Sequence, residues 1–206
     1  MREKKPLGKR EDAKSKAVGR SKMIENNVYD FAFNVLFKKY DNYLPYETRD
    51  EIFHNVLKSF NEQPVKIFQV GCIETFNINW RIGSGWSDLI FGDYIKKHGG
   101  KLSLCDISLD NIAHSILAAN KLGYNIEPCY GDAIGFIEQD VYDIYYLDGS
   151  NDPQETLDQF LKIKHNESVV IVDDFQIKGT LLNNFDFEVF KIANGVGVLD
   201  LRSSNK

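Results

Sequence analysis

The sequence of 206 residues contains only three cysteines, Cys72, Cys105 and Cys129. That is too few for a disulfide framework, and their spacing matches no zinc site. All three lie in or beside apolar runs, the usual setting of reduced core thiols in a cytosolic protein. No apolar run approaches the roughly 18 residues that a membrane-spanning helix needs. The first residues also lack the apolar stretch of a secretion signal. A cytoplasmic location without a membrane span is therefore expected. No internal repeat is visible. With 43% hydrophobic and 27% charged residues, the composition excludes collagen-like, low-complexity and wholly disordered chains. The length fits one domain with a sizeable core.

Positive charge is scarce except at the start. Residues 1–22 hold nine Lys or Arg against three acids, Glu3, Glu11 and Asp12, an excess of six positive charges. The chain as a whole carries -5, so the remainder carries -11. The opening segment has almost no large apolar side chains and cannot offset the entropy of ordering itself, so it reads as a mobile basic tail. It is either a solubilising extension or a steering device for an anionic partner such as nucleic acid, a phosphosugar or a membrane surface. The acidic remainder argues against a dedicated nucleic-acid-binding protein, whose domain should be basic.

Residues 23–62 read as a helical unit. A first helix is predicted over 26–40, where Asp30, Asn34 and Lys38 make a narrow polar stripe. After a turn at 41–45, a second helix runs to about Phe60. Thr48 and Glu51 are spaced as a capping box, and Ile52, Phe53, Val56, Leu57 and Phe60 share one face. The pair is expected to form a cover over the rest of the chain or a contact in a homo-oligomer.

From residue 63 to 206 the pattern alternates. Apolar strands are predicted at 65–70, 101–105, 125–129, 142–147 and 168–172. Helices are predicted at 86–98, from the Ser108 cap to the Gly123 stop, and from Asp152-Pro153 to about Lys164. This is the signature of an α/β domain with a parallel sheet and helices on both faces. The last two predicted strands, 185–192 and 196–201, flank Asn194-Gly195, a hairpin signal that calls for an antiparallel end.

In open parallel sheets, ligands bind beyond the carboxyl ends of the strands. Gly71 follows the first strand, where a missing side chain lets backbone approach a ligand. Asp106 follows the second, placed to accept from two ribose hydroxyls. Gly131-Asp132-Ala133 follow the third, with Asp132 able to accept from an exocyclic amine. Asp148, with Gly149 and Ser150, follows the fourth, and Asp173-Asp174 follow the fifth. One acid at a strand end is commonly a turn cap. Acids at four of five ends point to a polar ligand. The four histidines, His54, His98, His114 and His165, sit at helix or loop positions and read as packing or surface residues rather than bases.

These stretches, Phe68-Gln69-Val70-Gly71, Leu104-Cys105-Asp106-Ile107, Gly131-Asp132-Ala133, Tyr145-Tyr146-Leu147-Asp148-Gly149 and Ile171-Val172-Asp173-Asp174, resemble the class I S-adenosylmethionine-dependent methyltransferases in order and spacing. The similarity covers roughly residues 65–201 and is nearest to the small-molecule and sugar O-methyltransferases. It implies a Rossmann-like, mostly parallel seven-stranded sheet with a C-terminal antiparallel hairpin. It also implies S-adenosylmethionine as cofactor and methylation of a small hydroxylated acceptor. By that resemblance Gly71 lies against the methionine part, Asp106 holds the ribose, and Asp132 with Ala133 borders the adenine. Gln69, Cys72, Glu74, Ile107 and Asp148 complete the expected cofactor-binding set, and Asp148 and Asp173 are the expected catalytic acids. Several members bind a divalent ion through acids matching Asp148, Asp173 and Asp174, so magnesium is a second expected ligand. A hard cation of this kind would polarise a substrate hydroxyl. The plainer alternative is that Asp173 and Asp174 cap a turn while Asp148 touches cofactor or water.

The sequence departs from that family in three places. Gln69 stands where an acid is usual. Gly71 is followed by Cys72-Ile73-Glu74-Thr75 instead of alternating glycines, with Gly83 and Gly85 arriving only after a long loop that also carries Trp80. Ser150-Asn151-Asp152 stand where a His or Lys is common. Two other readings therefore stay open. One is a non-catalytic module of the same architecture, tethered by its basic tail. The other is a nicotinamide-dependent oxidoreductase, which the missing G-x-G-x-x-G disfavours.

Overall fold

The computed structural model describes residues 47–75, 86–163, 167–185, 189–193 and 195–203. The predicted tail at 1–22, the predicted helix at 26–40 and its turn, the loop at 76–85 with Trp80, His165 and Asn194 lie outside the described residues.

Seven stretches of the described chain are extended: β1 Val65–Val70, β2 Gly100–Asp106, β3 Ile126–Tyr130, β4 Ile144–Leu147, β5 Val169–Val172, β6 Val189–Ala193 and β7 Val196–Asp200. They hydrogen-bond in the order β3-β2-β1-β4-β5-β7-β6. β1 to β5 pair in parallel. β7 runs antiparallel to both β5 and β6. The order reverses between β1 and β4, because the chain first winds outward to β3 and then returns. That reversal opens a crevice above the carboxyl ends of the central strands. The helices are α1 Glu47–Lys58, α2 Trp86–His98, α3 Leu109–Leu122, α4 Ala133–Ile137, α5 Pro153–Ile163 and α6 Phe175–Lys178. None of those described is long and apolar enough to cross a membrane.

The central strands form where apolar residues run without interruption. All residues of β4 (IYYL) and β5 (VVIV) are buried, as expected of strands covered on both faces. Their two-residue period splits the core. Ile67, Tyr146 and Ile171 point to one side, where they meet Ile90 and Phe91 of α2 and Ile52, Phe53, Val56 and Leu57 of α1. Phe68, Tyr145, Leu147 and Val172 point to the other, towards Ile137, Phe160 and Phe175. Ser108 caps α3 by accepting from the Asn111 N–H at 3.3 Å, and Gly123 stops that helix in the left-handed region.

Sequence pattern and structure differ at short connections. α4, α6 and a 3-10 turn at Thr180–Asn184 occupy stretches read only as links, since four or five residues are too few to display a helical period. α1 begins at Glu47, which puts Thr48 inside the first turn rather than at the cap of the expected capping box.

α1 is packed into the core. The Phe53 ring meets Phe91 at 5.6 Å and Tyr146 at 5.3 Å between centroids, both edge-on, and Phe91 meets Tyr146 at 5.9 Å. Edge-to-face contacts of this kind add to the burial of each ring. Phe53→Ala is expected to cost about 3–5 kcal/mol, read as a lower urea midpoint in a single cooperative transition. A loss below about 1 kcal/mol would mean that α1 contributes little to the core.

Candidate active site

Beyond the carboxyl ends of β1 to β5 lies an open cleft of about 780 Å³. Every residue singled out from the sequence lines it: Gln69, Gly71, Cys72, Glu74, Asp106, Ile107, Asp132, Ala133, Asp148, Asp173 and Asp174. Ser87, Asn111, Glu155 and Lys178 line it too. None of the three described histidines does. His114 meets the Ile73 carbonyl through Nδ1 at 3.2 Å, and His98 packs on Tyr94.

The end of β1 turns sharply. Gly71 has φ +91°, and a Cβ there would stand 2.5 Å from the backbone oxygen of Asp148. Only glycine lets β1 and β4 close at this point. The bare backbone of Gly71 lines the cleft.

Asp106 closes β2 and organises the adjoining loops. Its Oδ2 accepts from the Cys72 N–H at 3.0 Å and from Asn111 Nδ2 at 3.1 Å, while Oδ1 accepts from the Ser108 N–H at 2.8 Å. Asp132 caps α4, accepting from the Ile134 N–H through Oδ1 at 3.0 Å, and remains exposed beside Ile107, which is 78% exposed. The thiols of Cys72 and Cys105 are pushed far up by burial, so Cys72 contributes its backbone and bulk rather than a nucleophile.

Gln69 stands where the sequence resemblance leads one to expect an acid, and the structure brings one to it from α2. Residue 69 faces the α2 side of the sheet. Its Nε2 donates to the Gly71 carbonyl at 2.7 Å and to Oδ1 of Asp88, on the first turn of α2. Oδ2 of Asp88 accepts from the Ser115 hydroxyl of α3, and that hydroxyl accepts from the Ile73 N–H at 3.1 Å. Asp88 thus ties α2, α3 and the loop after β1 together from below. It is 4% exposed, and burial pushes its carboxyl up to about 7 in spite of these hydrogen bonds. Sequence reasoning missed Asp88 because an acid in the first turn of a helix is unremarkable and this one lies 19 positions from its partner.

The second half of the cleft is built by β4, β5 and α6. Tyr146, buried under Phe53 and Phe91, places its hydroxyl 3.1 Å from Oδ2 of Asp148 and 3.1 Å from Oδ2 of Asp173. A hydroxyl has one hydrogen, so it serves one carboxylate at a time. Asp173 also accepts from the Asp174 N–H at 2.9 Å. Asp174 adopts φ 43°, ψ 47°, which turns the chain directly into α6. One turn later Lys178 folds back. Its ammonium bonds Oδ1 of Asp148 and lies 3.8 Å from Oδ2 of Asp174. The Lys178 side chain is 5% exposed. α6 is anchored by Phe175, whose ring fills the space over Gly197, where a Cβ would stand 2.1 Å from it.

The expected magnesium site is not formed. Among the described residues, no group of three or more His, Cys, Asp or Glu is disposed to hold a metal ion. Asp148, Asp173 and Asp174 do converge, but they do so around a tyrosine hydroxyl and a lysine.

No family model and no curated protein sequence matches the chain. Solved structures do. SAH-bound methyltransferase PaMTH1 from Podospora anserina is 14% identical with a TM-score of 0.51, over 88% of this chain and 77% of that one. Cofactor-bound Rv0187 from MTB is 9% identical with a TM-score of 0.55, over 87% and 89%. A candidate O-methyltransferase from Klebsiella pneumoniae is 12% identical with a TM-score of 0.51, over 79% and 70%. The chain spans 43% of the length of another solved structure that it matches, TehB from Haemophilus influenzae. The chain has the class I methyltransferase fold.

Asp88 makes stability depend on pH with a definite sign. Its folded-state pKa of about 7 lies above the ordinary 3.8. Between those values the folded state holds a proton that the unfolded state has lost, so stability falls as pH rises through that window. Asp88→Asn removes this slope. The variant is expected to exceed the native chain at pH 8 by on the order of 2 to 4 kcal/mol and to converge with it near pH 4. Thermal melts across this range read the difference. A variant that melts lower at pH 8 than the native chain would contradict it.

Proposed function

We propose that the chain is an S-adenosylmethionine-dependent methyltransferase that acts on the hydroxyl of a small acceptor. The observation that carries this reading is the convergence of residues more than a hundred positions apart on one cleft at the strand-order reversal. The class I methyltransferase fold and its cofactor-bound neighbours support it.

The residues fit the cofactor. Gly71 offers backbone without a side chain where the methionine part would lie. Asp106 has lone-pair capacity on Oδ1 for a ribose hydroxyl, beyond the single bond it accepts there. Asp132 keeps Oδ2 available for an exocyclic amine, and exposed Ile107 offers an apolar surface for a base. Seven carboxylates line the cleft (Glu74, Asp106, Asp132, Asp148, Glu155, Asp173 and Asp174), with Lys178 the only cation among the described residues there. Such a field attracts a sulfonium and an amine. It repels phosphorylated acceptors and favours neutral or cationic ones.

When bound, the cofactor supplies an electrophilic methyl group. The chain's part is then to align the acceptor and exclude water. Tyr146 and Lys178 hold the carboxylates of Asp148 and Asp173 in fixed positions facing the cleft, and these two acids are the groups available to orient an acceptor hydroxyl. No histidine performs this role among the described residues.

Calorimetric titration with S-adenosylmethionine tests the reading. The native chain is expected to bind, and Asp106→Ala to weaken binding at least tenfold. The same substitution strands the Cys72 and Ser108 N–H groups and is expected to cost roughly 1–3 kcal/mol of stability. Gly71→Ala is expected to abolish binding, because its Cβ would meet the Asp148 backbone. Absence of binding by the folded native chain would end the proposal. Binding without turnover of any hydroxylated acceptor would favour the non-catalytic module instead.

A further inference from the structure

Three carboxylates meeting at the ends of two neighbouring strands ordinarily call for a cation. Asp148 closes β4, and Asp173 and Asp174 follow β5. In this chain the cation is covalent. The turn at Asp174 starts α6 without a connecting residue, and four positions later the Lys178 side chain returns to the acids. Its ammonium bonds Oδ1 of Asp148 and approaches Oδ2 of Asp174 at 3.8 Å. The Tyr146 hydroxyl stands 3.1 Å from the remaining oxygen of Asp148 and 3.1 Å from Oδ2 of Asp173. The Asp174 N–H occupies Oδ1 of Asp173. A magnesium ion demands near-octahedral oxygen ligands at about 2.1 Å. Here Oδ1 of Asp148 and Oδ1 of Asp173 face donors already in place, the Tyr146 hydroxyl serves one of the two Oδ2 atoms at a time, and the fixed positive charge of Lys178 would repel an entering ion at close range.

We infer that the Lys178 ammonium is the resident cation of this acid cluster and stands in place of a divalent metal ion, so that the cleft works without one. An ammonium has three donors. One is taken by Asp148 and the charge is balanced by Asp174 at ion-pair distance, and this leaves donor capacity for an oxygen of whatever occupies the cleft, which Lys178 lines. A buried lysine in this position makes sense of Phe175 and Gly197 as well. Their close packing fixes α6, and with it the height of Lys178 above the sheet. The link to an acceptor rests on the function proposed above, whereas the exclusion of a metal does not.

The test is a manganese(II) titration of the full chain, followed by the free-ion electron paramagnetic resonance signal. The native chain is expected to show no binding that Asp148→Asn or Asp173→Asn removes. Lys178→Ala is expected to bind at least tenfold more tightly than the native chain, with the gain lost in Lys178→Ala/Asp148→Asn. Manganese should also raise the melting temperature of Lys178→Ala but not of the native chain, because removing the lysine takes away the cation that Asp148 and Asp174 face. If Lys178→Ala does not fold, Lys178→Met keeps the packing volume and carries the same expectation. Native binding that is abolished by Asp173→Asn would overturn the inference, as would a folded lysine variant that gains none. Titration with S-adenosylmethionine in the presence of a chelator is a separate readout. Its failure would sink the proposed function and leave the metal result legible.

Discussion

Like charges crowd the carboxyl rim of this sheet, and most of the site's architecture is a response to that crowding. Parallel strands sit about 4.8 Å apart, so an acid at each end brings carboxylates within strong repulsive range unless donors separate them. Each acid here has been given such donors. Asp106 receives two backbone N–H groups and an amide. Asp132 is bound by the N-terminus of α4. Asp148 is matched by Lys178, and Asp173 by a tyrosine hydroxyl and a backbone N–H. The donors come mostly from turns and short helices, which is why those elements begin where the strands stop.

The same need appears below the rim. The amide of Gln69, at the end of β1, meets Asp88 of α2. The carboxylate of Asp88 lies in the layer beneath the cleft wall. That carboxylate stabilises the loop after β1 through Ser115 and Ile73. The position is costly to keep ionised, because among the described residues nothing positive faces it and burial removes it from water. The aromatic trio of Phe53, Phe91 and Tyr146 completes this under-layer and couples α1 to the site. A helix far from the cleft in sequence therefore helps to set the position of a hydroxyl between two acids of the cleft.

Much of the architecture was legible beforehand. Continuous apolar runs such as Val169-Val170-Ile171-Val172 report strands buried on both faces, and an acid after four of the five parallel strands reports the rim. Boundaries were less visible. Tyr142 extends the apolar pattern of β4 but lies before it, its N–H bonded to the Tyr145 hydroxyl. α4 and α6 escaped notice because they are shorter than the window in which a 3.6-residue period declares itself. The missed α6 had the largest consequence, since it carries Lys178.

Local pattern alone determined the α/β alternation, the parallel strands, the antiparallel end and the identity of the rim acids, because each depends on residues close together in the chain. Tertiary structure alone decided what neutralises those acids. Lys178 lies 30 positions from Asp148 and Asp88 lies 19 from Gln69, and no spacing rule joins either pair. Their meeting depends on a left-handed turn at Asp174, on a phenylalanine seated over Gly197, and on which helix covers which face of the sheet. An ion pair forms where the backbone delivers two charges to one point, and that delivery is a property of the whole fold.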